Sequence, residues 1–322
     1  MTWFQFSFSD FSFSFLSILL EGVPFVLFGT LISGMIAAFL PARLMAQLLP
    51  RNTTLAIIIS GGLGMIFPMC ECGVVLVVRR LMSKGLPIAC AVTYMLASPV
   101  VNPVVMISTF AAFSGQAPWM MTTMRLGIAF FVAVLVGFIV HRMGGDRVMR
   151  SEVAAMAPAK RRRGFSASAL NEAELENKKT VPAPAVSFRG KLAAGLNAAI
   201  GDFLDVTFFL VIGAGLTAVF NTAVNQTLIM PVAEHPTLAV PGMMLLAFLL
   251  SLCSTSDAFV AATFVMFAPA AKLAFLVYGP MFDLKLIFLY SLIFKRRFVA
   301  QLGVGLFFII GVICWRLSEF LL

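Results

Sequence analysis

The chain has 322 residues, 61% hydrophobic and only 11% charged, with a mean hydropathy of +1.00. That excludes a soluble globular domain, in which about a quarter of residues are charged, and marks a polytopic membrane protein. The net charge of +9 is no nucleic-acid footprint, because the basic residues fall in loops between apolar runs, where they set membrane orientation.

Residues 1–14 are rich in Phe and Ser, a composition suited to a membrane interface. No basic stretch precedes Phe11–Leu20, so this segment reads as the start of a span rather than a cleavable signal. The first span is predicted over Phe15–Leu40. It carries Glu21 and Pro24, and Pro41 ends it. The apolar run Thr54–Phe67 is too short to cross a bilayer upright. It leads into Phe67-Pro68-Met69-Cys70-Glu71-Cys72-Gly73, where two thiols flank a carboxylate. An acid at membrane depth costs roughly 2.5–3.5 kcal/mol and usually marks a pathway. Pro68 removes a backbone donor and Gly73 weakens the helix. A broken backbone in lipid survives only against protein or a water-filled cavity. This stretch therefore predicts an interrupted helix that exposes polar atoms to a site.

Leu86–Phe113 is the next apolar run, and Ser98-Pro99-Val100-Val101-Asn102-Pro103 interrupts it. Trp119–Val140 comes next, ending in basic residues from His141. Residues 144–189 are polar, with Lys160-Arg161-Arg162-Arg163, Glu172, Glu174, Glu176, Pro182 and Pro184. They read as a largely disordered cytoplasmic linker. Phe188–Leu204 is expected to begin as an interfacial helix before a span at 203–220.

The second half echoes the first. Leu20-Glu21 answers Leu204-Asp205, Gly29 answers Gly213, Cys70 answers Cys253, Pro99 answers Pro280 and Asn102 answers Asp283, all offset by 181 to 184 residues. This spacing divides the chain into a first repeat (1–143), the linker (144–189) and a second repeat (190–322). If every apolar run spans, the chain has eight spans. If 54–84 and about 240–271 are re-entrant hairpins, Arg43, Arg51, Arg79, Arg80, Lys84, the linker and Lys295–Arg297 all lie inside, as the positive-inside rule favours. The expected fold is all-α, with six full spans and two hairpins. Its halves would be inverted as in many secondary transporters.

Cys70-Glu71-Cys72-Gly73, Arg79–Lys84-Gly85-Leu86-Pro87, Ser98-Pro99-Val100-Val101-Asn102-Pro103 and Cys253-Ser254-Thr255-Ser256-Asp257-Ala258-Phe259-Val260-Ala261 carry a family resemblance. The chain resembles the bacterial predicted permeases that include the ArsP organoarsenical exporters and the YraQ-like proteins. The resemblance implies a transporter of the bacterial cytoplasmic membrane. Some members export trivalent arsenicals and others are linked to heavy-metal handling. The fold alone does not fix the cargo.

Thiolates are soft ligands, so Cys70, Cys72 and Cys253 are candidate substrate contacts, with Cys70 and Cys72 meeting any metal only as a transported species. The plainer alternative is that these cysteines pack as small hydrophobes. Glu71, Ser254, Thr255, Asp257, Asn102 and Asp283 complete the candidate substrate site. Burial disfavours a charged carboxyl group, so Glu71, Asp257, Glu21 and Asp205 are candidate proton carriers. The competing role for the polar group at 254–257 is helix capping. Asp283 and Lys285, two apart in one span, are expected to form an internal ion pair. Cys90 and Cys314 read as packing residues. With no phosphate-binding glycine loop, no cofactor and no nucleotide hydrolysis are expected.

The leading expectation is a proton-coupled exporter of a small thiophilic solute, a trivalent organoarsenical or a soft heavy-metal species. Its partners are the bilayer, the solute and protons; nothing favours nucleic acid, and self-association into a homo-oligomer is compatible. Alternatives are uptake of a small sulfur compound, a membrane thiol oxidoreductase using Cys70 and Cys72, or a channel-like subunit assembled with a partner.

Overall fold

The computed structural model describes residues 8–39, 52–67, 69–143, 188–223 and 236–321, with 50 and 148. The linker's basic cluster and acidic patch, and Pro68, lie outside these. Among the described residues the regular structure is helical throughout. The helices are α1 (Phe8–Phe39), α2 (Thr53–Gly62, continued by a 3-10 turn at Leu63–Met65), α3 (Glu71–Ser83), α4 (Ile88–Ala97), α5 (Pro103–Ala112) and α6 (Pro118–Met143), then α7 (Phe188–Ala223), α8 (Pro236–Leu250), α9 (Ser256–Thr263), α10 (Pro269–Met281), α11 (Leu284–Tyr290) and α12 (Arg296–Leu321). Each half thus runs long helix, short helix, break, two helices, break, short helix, long helix.

Among the described residues, five stretches are long and apolar enough to cross a membrane: Phe8–Met35, Pro118–Met143, Gly195–Val219, Pro269–Tyr290 and Arg296–Glu319. The expected span at 86–113 is divided into two helices of 10 residues each. Asn102-Pro103 divides it, because the proline cannot donate a backbone bond and Asn102 caps the second of the two helices. The region expected to turn from an interfacial helix into a span near 203 is instead one continuous helix, α7, of 36 residues. No proline interrupts it between Phe188 and Ala223.

Within each half the same neighbours meet. α4 packs on α2 and α6, and α10 packs on α8 and α12. The halves join through α1 on α7, α3 on α11, α5 on α9 and α6 on α10. The inner helices are buried almost all round, with Ala89–Ala97 and Ala270–Met281 enclosed. The outer helices expose Leu27, Phe28, Phe131, Val304 and Phe308, as a lipid-facing surface requires.

Lipid tails are as apolar as leucine, so close helix contact rests on small residues and van der Waals packing. Gly29 shows this: a Cβ there would lie 2.8 Å from the Cα of Gly73. That approach presses α1 against the first turn of α3. Gly213 plays the same part on α7, where a Cβ would lie 3.0 Å from Cβ of Lys285. The matched glycines therefore hold α1 against the start of α3 and α7 against the start of α11.

Candidate functional site

Each break is a helix start whose first amides need acceptors. Cys70 is extended (φ −73°, ψ 164°) and its Sγ accepts from Gly73 N at 3.4 Å. Asn102 accepts from Val105 N at 2.9 Å through Oδ1 and donates through Nδ2 to Ser98 O at 2.9 Å. Asp283 Oδ1 accepts from Leu286 N at 2.7 Å. Thr255 occupies the capping position of α9 without making a side-chain cap bond. Its hydroxyl instead meets Cys253 Sγ at 3.8 Å.

Glu71 opens α3 and is buried. Its Oε1 accepts from Lys285 Nζ at 3.0 Å, and its Oε2 accepts from Ser254 Oγ at 3.5 Å. The same ammonium donates to the carbonyls of Ser251 (3.0 Å) and Leu252 (3.3 Å). Those carbonyls are turned toward it by a left-handed backbone at Ser251, φ 45°, a conformation uncommon for a non-glycine residue. Asp283 Oδ2 lies 3.4 Å from Lys285 Nζ, so the expected Asp283–Lys285 pair is present, with Glu71 closer still.

Asp257 lies in the first turn of α9, and both its oxygens accept from one guanidinium nitrogen of Arg125 at 2.9 Å. That nitrogen also donates to Ser254 O at 2.9 Å, and the other terminal nitrogen donates to Thr109 Oγ1 at 2.7 Å. Arg125 is fully buried on α6. Such a charge survives in an apolar interior only when paired and hydrogen-bonded.

A cavity of about 130 Å³ opens beside Glu71 and Lys285. Cys70, Cys72 and Cys253 line it, and Ser14, Ser17 and Ser251 bring hydroxyls to its wall. None of the five cysteines is in a disulfide. Among the described residues no group of three or more His, Cys, Asp or Glu side chains is placed to hold a metal ion. The chemistry on offer is soft sulfur donors beside a buried ion pair, open to a small solute.

Of the candidate residues, Cys70, Glu71, Cys72 and Cys253 therefore meet on one cavity. Ser254 touches Glu71 and Thr255 touches Cys253. Asp257 belongs to the Arg125 clamp, and Asn102 spends both polar atoms on the α4–α5 break. Asp283 lies behind Lys285. Glu21 and Asp205 fall on α1 and α7, but their side chains lie outside the described residues. Sequence reasoning missed Arg125, Ser14, Ser17, Ser251 and the reach of Lys285 to Glu71. A usable signal existed for Arg125: it is the one cation inside Trp119–Val140, and an intramembrane cation calls for a buried partner.

A family model described as "Predicted permease" (ArsP_1) matches residues 7–318. The chain is 33% identical over 300 residues to "UPF0718 protein YcgR" of Bacillus subtilis (strain 168), covering 92% of both chains. It is 31% identical over 288 residues to "Putative two-component membrane permease complex subunit" of Streptococcus mutans serotype c (strain ATCC 700610 / UA159), covering 89% of this chain and 88% of that one. No solved structure matches it. Apolar helices long enough to span, polar breaks gathered around an internal cavity and these whole-length likenesses agree: the chain belongs to the ArsP_1 predicted permease family of membrane transporters.

Proposed function

We propose that this permease is a secondary exporter of a small thiophilic solute, a trivalent organoarsenical or a soft heavy-metal species, driven by proton entry across the bacterial inner membrane. One observation carries the reading: three thiols from both halves face one cavity beside the Glu71–Lys285 pair. Methylarsenite illustrates the chemistry. Two cysteine thiols displace its two hydroxyls, so two As–S bonds form and the thiol protons leave with the hydroxyls as two waters. Hydrolysis on the other face reverses the exchange and releases the cargo. The two halves, inverted with 54–84 and 240–271 as re-entrant hairpins, would rock around this fixed site, with the 144–189 linker in the cytoplasm.

The test compares cells with and without the protein, challenged with methylarsenite, arsenite, antimonite, Cd, Zn and Cu, alongside Cys70→Ser and Glu71→Gln. Lower accumulation of one of these, abolished by Cys70→Ser, is the expected result. Equal accumulation of all of them would sink the reading. A second reading has its own support in the name of the Streptococcus mutans relative, a complex subunit. On that reading this chain transports only with a second membrane component, which a crosslinked complex in native membranes would reveal.

A further inference from the structure

The two matched caps differ in one atom. Asn102 uses its second polar atom, donating to Ser98 O at 2.9 Å. Asp283 occupies the same place ahead of α11, is 0% exposed, and its Oδ2 accepts no hydrogen bond. Lys285 is the nearby cation, but an ammonium has three protons. Glu71, Ser251 O and Leu252 O take them at 3.0, 3.0 and 3.3 Å. The remaining contact to Asp283 Oδ2 at 3.4 Å is electrostatic only.

The charges give the same answer. Among the described residues the buried network holds three carboxyl groups, Glu71, Asp257 and Asp283, and two cations, Arg125 and Lys285. Arg125 is committed to both oxygens of Asp257. Lys285 is committed to Glu71. One negative charge is left over, and the uncompensated oxygen belongs to Asp283. A buried carboxylate oxygen that accepts no hydrogen bond and shares its one cation with a second acid is favoured to take up a proton.

The other groups facing Asp283 do not supply that charge. Tyr278 on α10 and Tyr290 on α11 are neutral phenols nearby, and Tyr290 already donates to Met281 O at 3.0 Å. From α3, Glu71 sets a like charge against Asp283 directly, while Cys72 and, from the break before α9, Cys253 face Lys285. From α7, Gly213 lies against Lys285 and carries no charge.

We propose that Asp283 holds one bound proton on Oδ2 and is the coupling residue of the transporter. The coupling half rests on the proton-driven export proposed above; the bound proton does not. A protonated Oδ2 has a donor where Asn102 has its amide, so the two caps become alike when the proton is on. Oδ1 keeps the α11 cap in both states, so the helix stays in place while the charge beside Lys285 changes. The proton comes from the aqueous phase on one side and leaves to the other, with no other bond made or broken.

Infrared titration of the full-length protein in lipid nanodiscs tests the bound proton, following the carbonyl stretch of protonated carboxyl groups as pH is raised. Wild type should show a titrating signal that Asp283→Asn removes and Asp257→Asn keeps. Asp283→Asn preserves the cap acceptor, as Asn102 shows, and thermal melting checks its fold. Wild type without a titrating signal, or Asp283→Asn with the signal intact, would overturn the proposal.

Flux of methylarsenite in proteoliposomes separates the two ideas. A pH gradient should drive wild-type flux, and Asp283→Asn should lose at least tenfold of it, its remaining flux no longer rising with the gradient. No gradient-driven flux in wild type, with the infrared signal still removed by Asp283→Asn, ends proton coupling but keeps the proton site. Gradient-driven flux unaffected by Asp283→Asn, with its signal intact, ends the proton site and keeps coupled export.

Discussion

The two broken helices each bury an acid near the start of the new helix, yet they hold it differently. Glu71 is held by the tip of a lysine, whose ammonium it shares with two carbonyls, and the pair borders the cavity. Asp257 is gripped through both oxygens by a guanidinium that also fixes Thr109 and the Ser254 carbonyl. A planar guanidinium with several donors used imposes one geometry, whereas an ammonium is a point charge on a flexible stem. The first arrangement suits a group that changes partners during transport. The second suits a rivet, and it joins α6 of the first half to α9 of the second. Repetition of the element order thus gave one acid that borders the cavity and one that is clamped away from it, although Cys253 of the second arrangement still lines the cavity.

Removing the rivet is the largest expected effect. Arg125→Met would leave Asp257 buried without a partner, at a cost of about 3–5 kcal/mol. Thermal melting in detergent should show the loss, and adding Asp257→Leu should recover most of it, since an apolar pair can replace a buried ion pair. A single variant that melts like wild type would remove the contrast between the breaks. The glycine contacts sharpen it next. At Gly29 a new methyl meets backbone, Gly73 Cα at 2.8 Å, which cannot move aside; Gly29→Ala should cost about 1–3 kcal/mol by overpacking. Gly213→Ala meets Lys285 at 3.0 Å and should cost less in melting. Gly305→Ala meets nothing and serves as the control. Equal losses at 29 and 213 would mean the two halves press on their breaks alike.

The cavity cysteines come third. Cys70→Ala and Cys253→Ala should each cut methylarsenite flux about tenfold, equivalent to ~1.4 kcal/mol, measured per folded protein. Cys90→Ala and Cys314→Ala, buried away from the cavity, should leave flux unchanged. If the four variants behave alike, sulfur at the cavity has no special role.

The breaks were legible in sequence because prolines, glycines and polar side chains are expensive inside apolar runs, so their presence is informative. That logic located Cys70–Gly73, Ser98–Pro103 and 253–257, and the matched Gly29 and Gly213. The partners were not legible. Arg125 and Asp257 are 132 residues apart and Glu71 and Lys285 are 214 apart, and no local periodicity encodes such pairings. Local reasoning paired Lys285 with Asp283, which is close, and overlooked the stronger bond to Glu71. It also treated the Phe- and Ser-rich residues 1–14 as an interface, although Ser14 at their end reaches the cavity wall, as does Ser17 in the first span. Capping was the competing role for the polar group at 254–257, yet Thr255 in the capping position turns its hydroxyl to Cys253, and a cap bond is made instead at Cys70, where a thiol is an unusual cap.

A smaller contact between the halves completes the comparison, away from both acids. Gln116, in the turn after α5, accepts from Lys272 Nζ at 2.7 Å and donates to Ala262 O at 3.1 Å. It ties the first half to α9 and α10 of the second, as Arg125 does, but with hydrogen bonds from a neutral amide near the surface. Gln116→Ala should cost only about 1 kcal/mol. The ammonium of Lys272 keeps its place over the Phe113 ring at 5.9 Å, which limits the loss. Gln116→Glu should be nearly neutral in melting: the carboxylate strengthens the bond from Lys272 but sets an acceptor against the Ala262 carbonyl. If Gln116→Ala instead destabilises as much as Arg125→Met, the halves are held at the turn and not by the buried rivet.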